Sequence, residues 1–197
     1  MFEILIDTSN TELNVGLAKD KILIDKISYE AWQRQSELLV VEVNNLLEKH
    51  NVDRKEIDGV VVGIGPGSYT GVRIGLTVAK TMAYATKCNL YACSSLYLLK
   101  TNKPTICLMN ARSNRSYFAV YDNENVIEHD QILTNEEVMN YINTHPDYAV
   151  SGETLHLGLK SAEYSIIDNL LGALSDSHKV DNVFKINPVY LKDLYKW

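Results

Sequence analysis

No stretch of the 197-residue sequence approaches the roughly 18 consecutive apolar residues that a membrane-spanning helix requires. The first residues, Met1-Phe2-Glu3-Ile4-Leu5-Ile6-Asp7, lack the basic region and cleavage site of a signal peptide and read instead as a strand. Cysteine is scarce: Cys88, Cys93 and Cys107 form no Cys-x-x-Cys pair and have no histidine at metal spacing. Reduced, partly buried thiols of a cytoplasmic protein are the expectation. His50, His129, His145, His156 and His178 are scattered singly, which argues against a metal site built by this chain alone. Basic clustering is also missing. The net charge is -6, and the basic groupings are only loose pairs such as Arg112 with Arg115 or Lys192 with Lys196. Phosphate neutralisation supplies most of the affinity of a protein that holds nucleic acid by itself. An RNA ligand would therefore be gripped mainly by a partner. Repeats, low-complexity tracts and long charge blocks are absent too.

What is present is ordinary globular material, 46% hydrophobic and 22% charged, enough for one large domain or two small ones. Met1 to Asp7 is mostly apolar, Leu13 to Leu17 alternates, and Ile22 to Ile24 follows a turn at Asp20-Lys21. Such short spacings suit an antiparallel meander. A helix is expected from about Ser36 to His50, then a strand buried on both faces from Ile57 to Ile64. A second helix from about Thr70 to Thr86 and a short strand at Leu90 to Cys93 complete a β-β-β-α-β-α-β order. That order belongs to one half of a ribonuclease-H-like, actin-like ATPase fold. The pattern restarts after Asn102-Lys103-Pro104 with strands at Thr105 to Met109 and Tyr117 to Tyr121, and a turn at Asn123-Glu124-Asn125. Thr134-x-x-Glu137 reads as a capping box opening a helix. Past Gly152 the periodicity is too weak to assign elements. The expected architecture is α/β, with two ribonuclease-H-like lobes of mixed sheets, residues 1–102 and a shortened 103–197.

The most informative stretch is Gly63-Ile64-Gly65-Pro66-Gly67-Ser68-Tyr69-Thr70-Gly71-Val72-Arg73-Ile74-Gly75. It is a strand–loop–helix junction where backbone N–H groups meet a helix N-terminus, a geometry that favours an anion. It has no Walker Lys-Ser/Thr, and Pro66 interrupts any dinucleotide fingerprint. A tight turn with Ser68 or Thr70 as N-cap accounts for it equally well. Gly65, Gly67, Ser68, Thr70 and Arg73, with Asp7 at the end of the first strand, are thus candidates for an anion or nucleotide junction. Arg73 either anchors the loop or meets a partner or bridging nucleotide.

Gly71, Gly75, Ala79 and Ala83 recur every fourth residue and form a side-chain-poor ridge on the second helix. The ridge packs either on the protein's own sheet or against a helix of another subunit. On the first helix Leu39, Val40, Val43, Leu46 and Leu47 would cover the sheet, while Leu38 and Val41 project oppositely, near Asn45. Leu38, Val41, Asn45 and the small-residue ridge together make a candidate partner surface.

The string from Gly65 to Gly75 resembles the signature of the TsaB family. Three further segments fit in order: Ile6-Asp7-Thr8-Ser9, Asn110-Ala111-Arg112 with Tyr117, and Pro188-Val189-Tyr190-Leu191-Lys192. The resemblance implies an actin-like two-lobed fold and a non-catalytic subunit in synthesis of the tRNA base threonylcarbamoyladenosine. It implies pairing with the catalytic paralogue TsaD through the two N-lobe helices, a homodimer through the same face when TsaD is absent, and assembly with the ATPase TsaE. TsaC would supply the activated intermediate, and tRNA would be held mainly through the complex. No cofactor of its own is implied, beyond a nucleotide at the junction with the partner.

Several departures from an active ATPase or metalloenzyme agree with a pseudo-enzyme. Asn110 stands where many relatives have Asp, and Gly152, Gly158 and Gly172 are isolated rather than forming an adenosine loop. No His-x-x-x-His marks the first helix. The competing expectation is an actin-fold ATPase or small-molecule phosphotransferase that uses Asp7 and the glycine loop. A peptidase-like activity has no coherent Ser/His/Asp set behind it, since Ser68 and Ser94 have no base evident in the sequence.

Overall fold

The computed structural model of the chain describes residues 1–192; Lys196, one of the basic residues paired above, lies outside them. The chain divides into two compact units, Met1–Ser95 with Ile166–Val189, and Leu96–Ser165 with the residues from Tyr190 onward.

In the first unit β1 (Phe2–Asp7), β2 (Glu12–Lys19) and β3 (Ile22–Glu30) form the expected meander. After α1 (Gln35–Lys49), β4 (Ile57–Gly63) pairs parallel with β1. After α2 (Tyr69–Thr86), β5 (Asn89–Cys93) pairs parallel with β4, so the sheet order is β3-β2-β1-β4-β5. Side chains alternate across a strand. Ile4 and Ile6 of β1, Val15 and Leu17 of β2, and Val60 and Val62 of β4 therefore share one core with Leu39, Val43, Leu46 and Leu47 of α1 and Leu76 of α2. The strand β3 runs further than the apolar residues Ile22 to Ile24 suggested. It is an edge strand whose outer half is polar, and Asp25 there takes Lys49 Nζ at 2.7 Å and His50 Nε2 at 2.8 Å. The start of α1 is tied down by the buried Gln35, whose Nε2 donates to the carbonyls of Asn10 and Glu12 at 2.8 and 3.1 Å.

The second unit repeats the scheme with β6 (Thr105–Arg112), β7 (Arg115–Asp122), β8 (Asn125–Thr134), α3 (Asn135–Thr144) and β9 (Ala149–Gly152), ordered β8-β7-β6-β9. This matches β3-β2-β1-β4 of the first sheet, with nothing corresponding to α2 and β5 among the described residues. Two ribonuclease-H-like lobes with mixed sheets, the second shortened, are what the chain forms. The capping box at Thr134 is present in both halves: Thr134 Oγ1 accepts from Glu137 N at 3.2 Å, and Glu137 Oε2 accepts from Thr134 N at 2.7 Å. Ile106, Leu108, Phe118, Val120 and Val138 form this unit's core.

The division differs from the one at Asn102–Lys103 read from sequence. A short α4 (Ile166–Gly172) returns to the first unit, where Ile167 packs near Leu5 and Gly16 on the sheet face opposite α1 and α2. Beyond it Lys179 bridges Tyr91, Val180 N donates to Leu90 O at 2.8 Å, and Val189 N donates to Ile64 O at 2.8 Å. The weak periodicity past Gly152 hid this return, because α4 is seven residues long and the rest is irregular chain. Cys93 and Cys107 are buried and Cys88 half-buried, all as free thiols, and burial pushes the Cys107 thiol up to about 12. Among the described residues no helix is long and apolar enough to cross a membrane.

Candidate functional site

The glycine loop closes onto the end of β1. Gly65 has φ +101°, a conformation in which a side chain is strained, and a Cβ there would lie 2.6 Å from Val189 O. Gly65 N donates to Ser95 Oγ at 2.9 Å, and Ser95 N returns a bond to Gly65 O at 2.8 Å. Ser68 N donates to Ser9 O at 2.7 Å, and a Cβ on Gly67 would meet the same carbonyl at 2.3 Å. Ser68 is the N-cap of α2, its Oγ accepting from Gly71 N at 3.2 Å, while Thr70 sits exposed in the first turn. Ser68 is the cap that the turn-and-cap alternative named, and the N–H groups of Gly65, Ser68 and Gly71 bond inside the chain. Ser68→Ala is expected to cost about 1 kcal/mol, the usual cost of losing an N-cap, read from urea denaturation. Arg73 lies with its guanidinium carbon 4.0 Å from the centroid of the Tyr69 ring, one helical turn back.

Asp7 is brought to this same corner. Its side chain is 0% exposed, with Oδ2 accepting from Ser9 N at 3.3 Å and Ser9 Oγ at 3.1 Å. Ser9 thus joins Asp7 to the glycine loop. Burial pushes the Asp7 carboxyl up to about 6, the bonds from Ser9 opposing the rise. Oδ1 has no partner among the described residues, nor does Nδ2 of Asn14, the residue paired with Asp7 across β2. No group of three or more His, Cys, Asp or Glu side chains converges at metal-binding distance among the described residues. Asp7 is thus a buried carboxyl with a raised proton affinity, set beside a loop whose Gly65, Ser68 and Gly71 N–H groups bond within the chain.

The surface assigned to a partner is partly corrected. Gly71, Gly75, Ala79 and Ala83 are all buried, and they face the protein's own sheet. A Cβ on Gly71 would sit 2.0 Å from Thr8 O and one on Gly75 would sit 2.7 Å from Thr8 Oγ1. The close approach these small residues permit is to β1 of the same chain. On α1, Val40 is 49% exposed rather than covering the sheet, Val41 is also 49% exposed, and Asn45 is exposed. Leu38, in contrast, is half-buried against the first core. The buried stripe of α1 keeps Leu39, Val43, Leu46 and Leu47 of the sequence reading, with Gln35 buried and Val40 not. Between α1 and α2 runs a largely apolar groove of about 490 Å³, lined by Val40, Val43, Leu47, Val78, Met82 and Ala85 among others. The sequence signal for it was available in the apolar residues of α2 outside the ridge, Val78 and Met82.

In the second unit Asn110 is tied into the hairpin turn and to Glu153 after β9. Its Oδ1 accepts from Arg112 N at 2.8 Å and its N–H donates to Glu153 Oε2 at 2.9 Å. Sequence reasoning missed a Ser–His pair here: Ser116 Oγ is 2.8 Å from His156 Nε2 and 3.0 Å from Asn135 Oδ1. The hydroxyl is 0% exposed, and the pair joins β7 to the turn after β9. His156 also lines an open cleft of about 550 Å³ with Asn110, Glu153, Thr154 and Lys160.

Comparison with known proteins decides the family. Residues 29–165 match the family model described as "TsaD: tRNA N6-adenosine threonylcarbamoyltransferase". The chain belongs to the TsaD family. Within it the likeness is to TsaB and YeaZ. The tRNA threonylcarbamoyladenosine biosynthesis protein TsaB of Bacillus subtilis is 33% identical over 140 residues, 68% of this chain and 60% of that protein. The Mycoplasma genitalium protein MG208 is 22% identical over 196 residues, 98% of this chain and 95% of that protein. YeaZ of Pseudomonas aeruginosa superposes with a TM-score of 0.82 at 21% identity, covering 96% of this chain and 99% of that one. Its likeness bears on the fold alone. The span matched to the TsaD family takes in α1, the glycine loop, α2 and the β6–β7 hairpin, but not Asp7. The match with the Bacillus protein covers less than two thirds of that relative's length.

Proposed function

We propose that this TsaD-family chain is the non-catalytic, TsaB-like subunit of a cytoplasmic assembly that installs threonylcarbamoyl on tRNA adenosine. It pairs with a catalytic TsaD through α1 and α2. The observation that supports this most is the apolar groove between α1 and α2, flanked by the exposed Val40 and Val41. A partner helix laid in such a groove removes apolar surface from water at about 25 cal/mol per Å². The same surface would join two copies of this chain when TsaD is absent. TsaE binding to the pair and TsaC supplying the activated threonylcarbamoyl group belong to the same reading. The chain then carries no cofactor of its own, and a nucleotide would sit at the junction with TsaD rather than in the glycine loop.

The test is reconstitution of tRNA threonylcarbamoylation from purified TsaD, TsaE and TsaC, with and without this chain. Modification only in the full mixture supports the reading. Modification without the chain, or steady ATP turnover by the chain alone that is lost on Asp7→Ala, overturns it in favour of an ATPase. Val40→Glu combined with Val41→Lys places charge on exposed positions. Chain stability should change by no more than about 0.5 kcal/mol, while the complex with TsaD disappears from size-exclusion chromatography. Leu38→Glu is a poorer probe, because Leu38 packs on the chain's own core.

A further inference from the structure

Three cations gather at one end of the second sheet, in a chain whose net charge is -6. Arg112 and Arg115 are directly paired across the β6–β7 ladder, just before and after the two-residue turn Ser113-Asn114. Like charges set opposite each other in a ladder destabilise it. Lys192 joins them by donating from Nζ to Ala111 O. Its ammonium is held below the usual lysine range, first by burial and then by the charges of Arg115 and Arg112. None of the three is within 4.0 Å of a carboxylate among the described residues. The neighbouring acids are engaged elsewhere. Glu153 accepts from Asn110 N at 2.9 Å, and Glu137 accepts from Thr134 N and Oγ1 at 2.7 Å each.

The backbone reinforces the arrangement. The ladder shifts register between Asn110 and Arg112, and Arg112, Ser113 and Asn114 all have left-handed φ, 59°, 53° and 57°. A bulky arginine is uncommon there, and bulges re-aim the side chains beside them. Tyr117, two residues after Arg115 on β7, shares its face of the sheet. It is half-buried, and the Arg115 charge is close enough to act on its phenol. An arginine pair, a lysine and an adjacent aromatic ring are the components that hold a sugar–phosphate backbone and stack an unpaired base.

We propose that Arg112, Arg115 and Lys192 form a phosphate-binding site for RNA at the tip of the β6–β7 hairpin, and Tyr117 offers a stacking surface beside it. The inference rests on the tRNA reading above for the identity of the RNA. It adds a direct hold on the nucleic acid by a chain whose charge otherwise argues against one.

The experiment measures binding of an unmodified tRNA transcript to the full chain and to its complex with TsaD, by fluorescence anisotropy across a salt series. The double variant Arg112→Gln/Arg115→Gln is compared with wild type, with Arg112→Lys/Arg115→Lys and with Lys103→Gln at the opposite end of β6. Each lost phosphate contact flattens the log–log salt dependence by about 0.7 to 0.9, so the glutamine variant should lose about 1.4 to 1.8 in slope and about tenfold in affinity at low salt. The lysine variant should keep the wild-type slope, and Lys103→Gln should leave it within about 0.2. A glutamine variant that keeps wild-type slope and affinity, while circular dichroism shows it folded, overturns the site. So does loss of TsaD binding with the RNA slope unchanged, which would make the cluster a protein contact. If tRNA modification proceeds without this chain yet the glutamine variant still loses slope, the subunit reading fails and the phosphate site stands.

Discussion

Gly71→Ala is expected to lower the stability of the chain by on the order of 3 kcal/mol, or to prevent folding. Helix propensity alone gives the opposite sign, since alanine in a helix is favoured over glycine by about 1 kcal/mol. Packing decides the outcome. The added methyl would lie 2.0 Å from Thr8 O, a backbone atom that cannot swing away. The turn after β1 is held at this point from three sides. Thr8 Oγ1 donates to Gly71 O at 2.7 Å, Ser68 N to Ser9 O at 2.7 Å, and Ser9 Oγ to Asp7 at 3.1 Å. To admit the methyl, α2 must lift from β1 and break the Thr8–Gly71 and Ser68–Ser9 bonds together. Urea denaturation followed by circular dichroism measures the change; a stabilised variant would show that α2 does not lie on β1 as described.

The second large effect concerns charge. Burial raises the Asp7 carboxyl from an ordinary 3.8 to about 6, so the folded chain binds its proton more tightly than the unfolded chain. The stability this group contributes is fully present below the unfolded value and is lost as pH rises through the folded one. With about 1.4 kcal/mol per unit, the loss between pH ~3 and pH ~7 is about 3 kcal/mol. Asp7→Asn removes the titration and keeps the shape. The stability of the variant relative to wild type should therefore grow by about 3 kcal/mol over that window, whatever fixed offset the amide introduces. A difference that stays flat with pH would mean that the carboxylate is better solvated than its burial indicates.

Much of the fold was legible because its signals are local. The buried run of β4, the Thr134 capping box and the two restarts of a strand pattern depend only on neighbouring residues. What escaped the sequence was set by distant ones. On β3 the polar Asp25 is matched by Lys49 at the end of α1 and by His50 just after it. The return of α4 to the first sheet is invisible in a seven-residue segment. At the candidate site the small-residue ridge was found, but its orientation was not, since a row of glycines and alanines permits close approach without saying to what. On α1 the burial of Gln35 escaped the reading, because it depends on the distant carbonyls of Asn10 and Glu12. The pairing of Arg112 with Arg115 needs the hairpin register, where sequence showed only two nearby arginines.

The interleaving of the two units bears on how the chain is made. The first unit takes its opening 95 residues and then a segment from Ile166 to Val189, with Leu96–Ser165 of the second unit lying between them in the chain. Synthesis usually lets an N-terminal domain fold first. Here the sheet face that receives Ile167, and the Ile64 carbonyl that receives Val189 N, wait uncovered until residues 96–165 of the second unit have emerged. A nascent chain stalled within that stretch therefore exposes an apolar sheet face to the cell's chaperones.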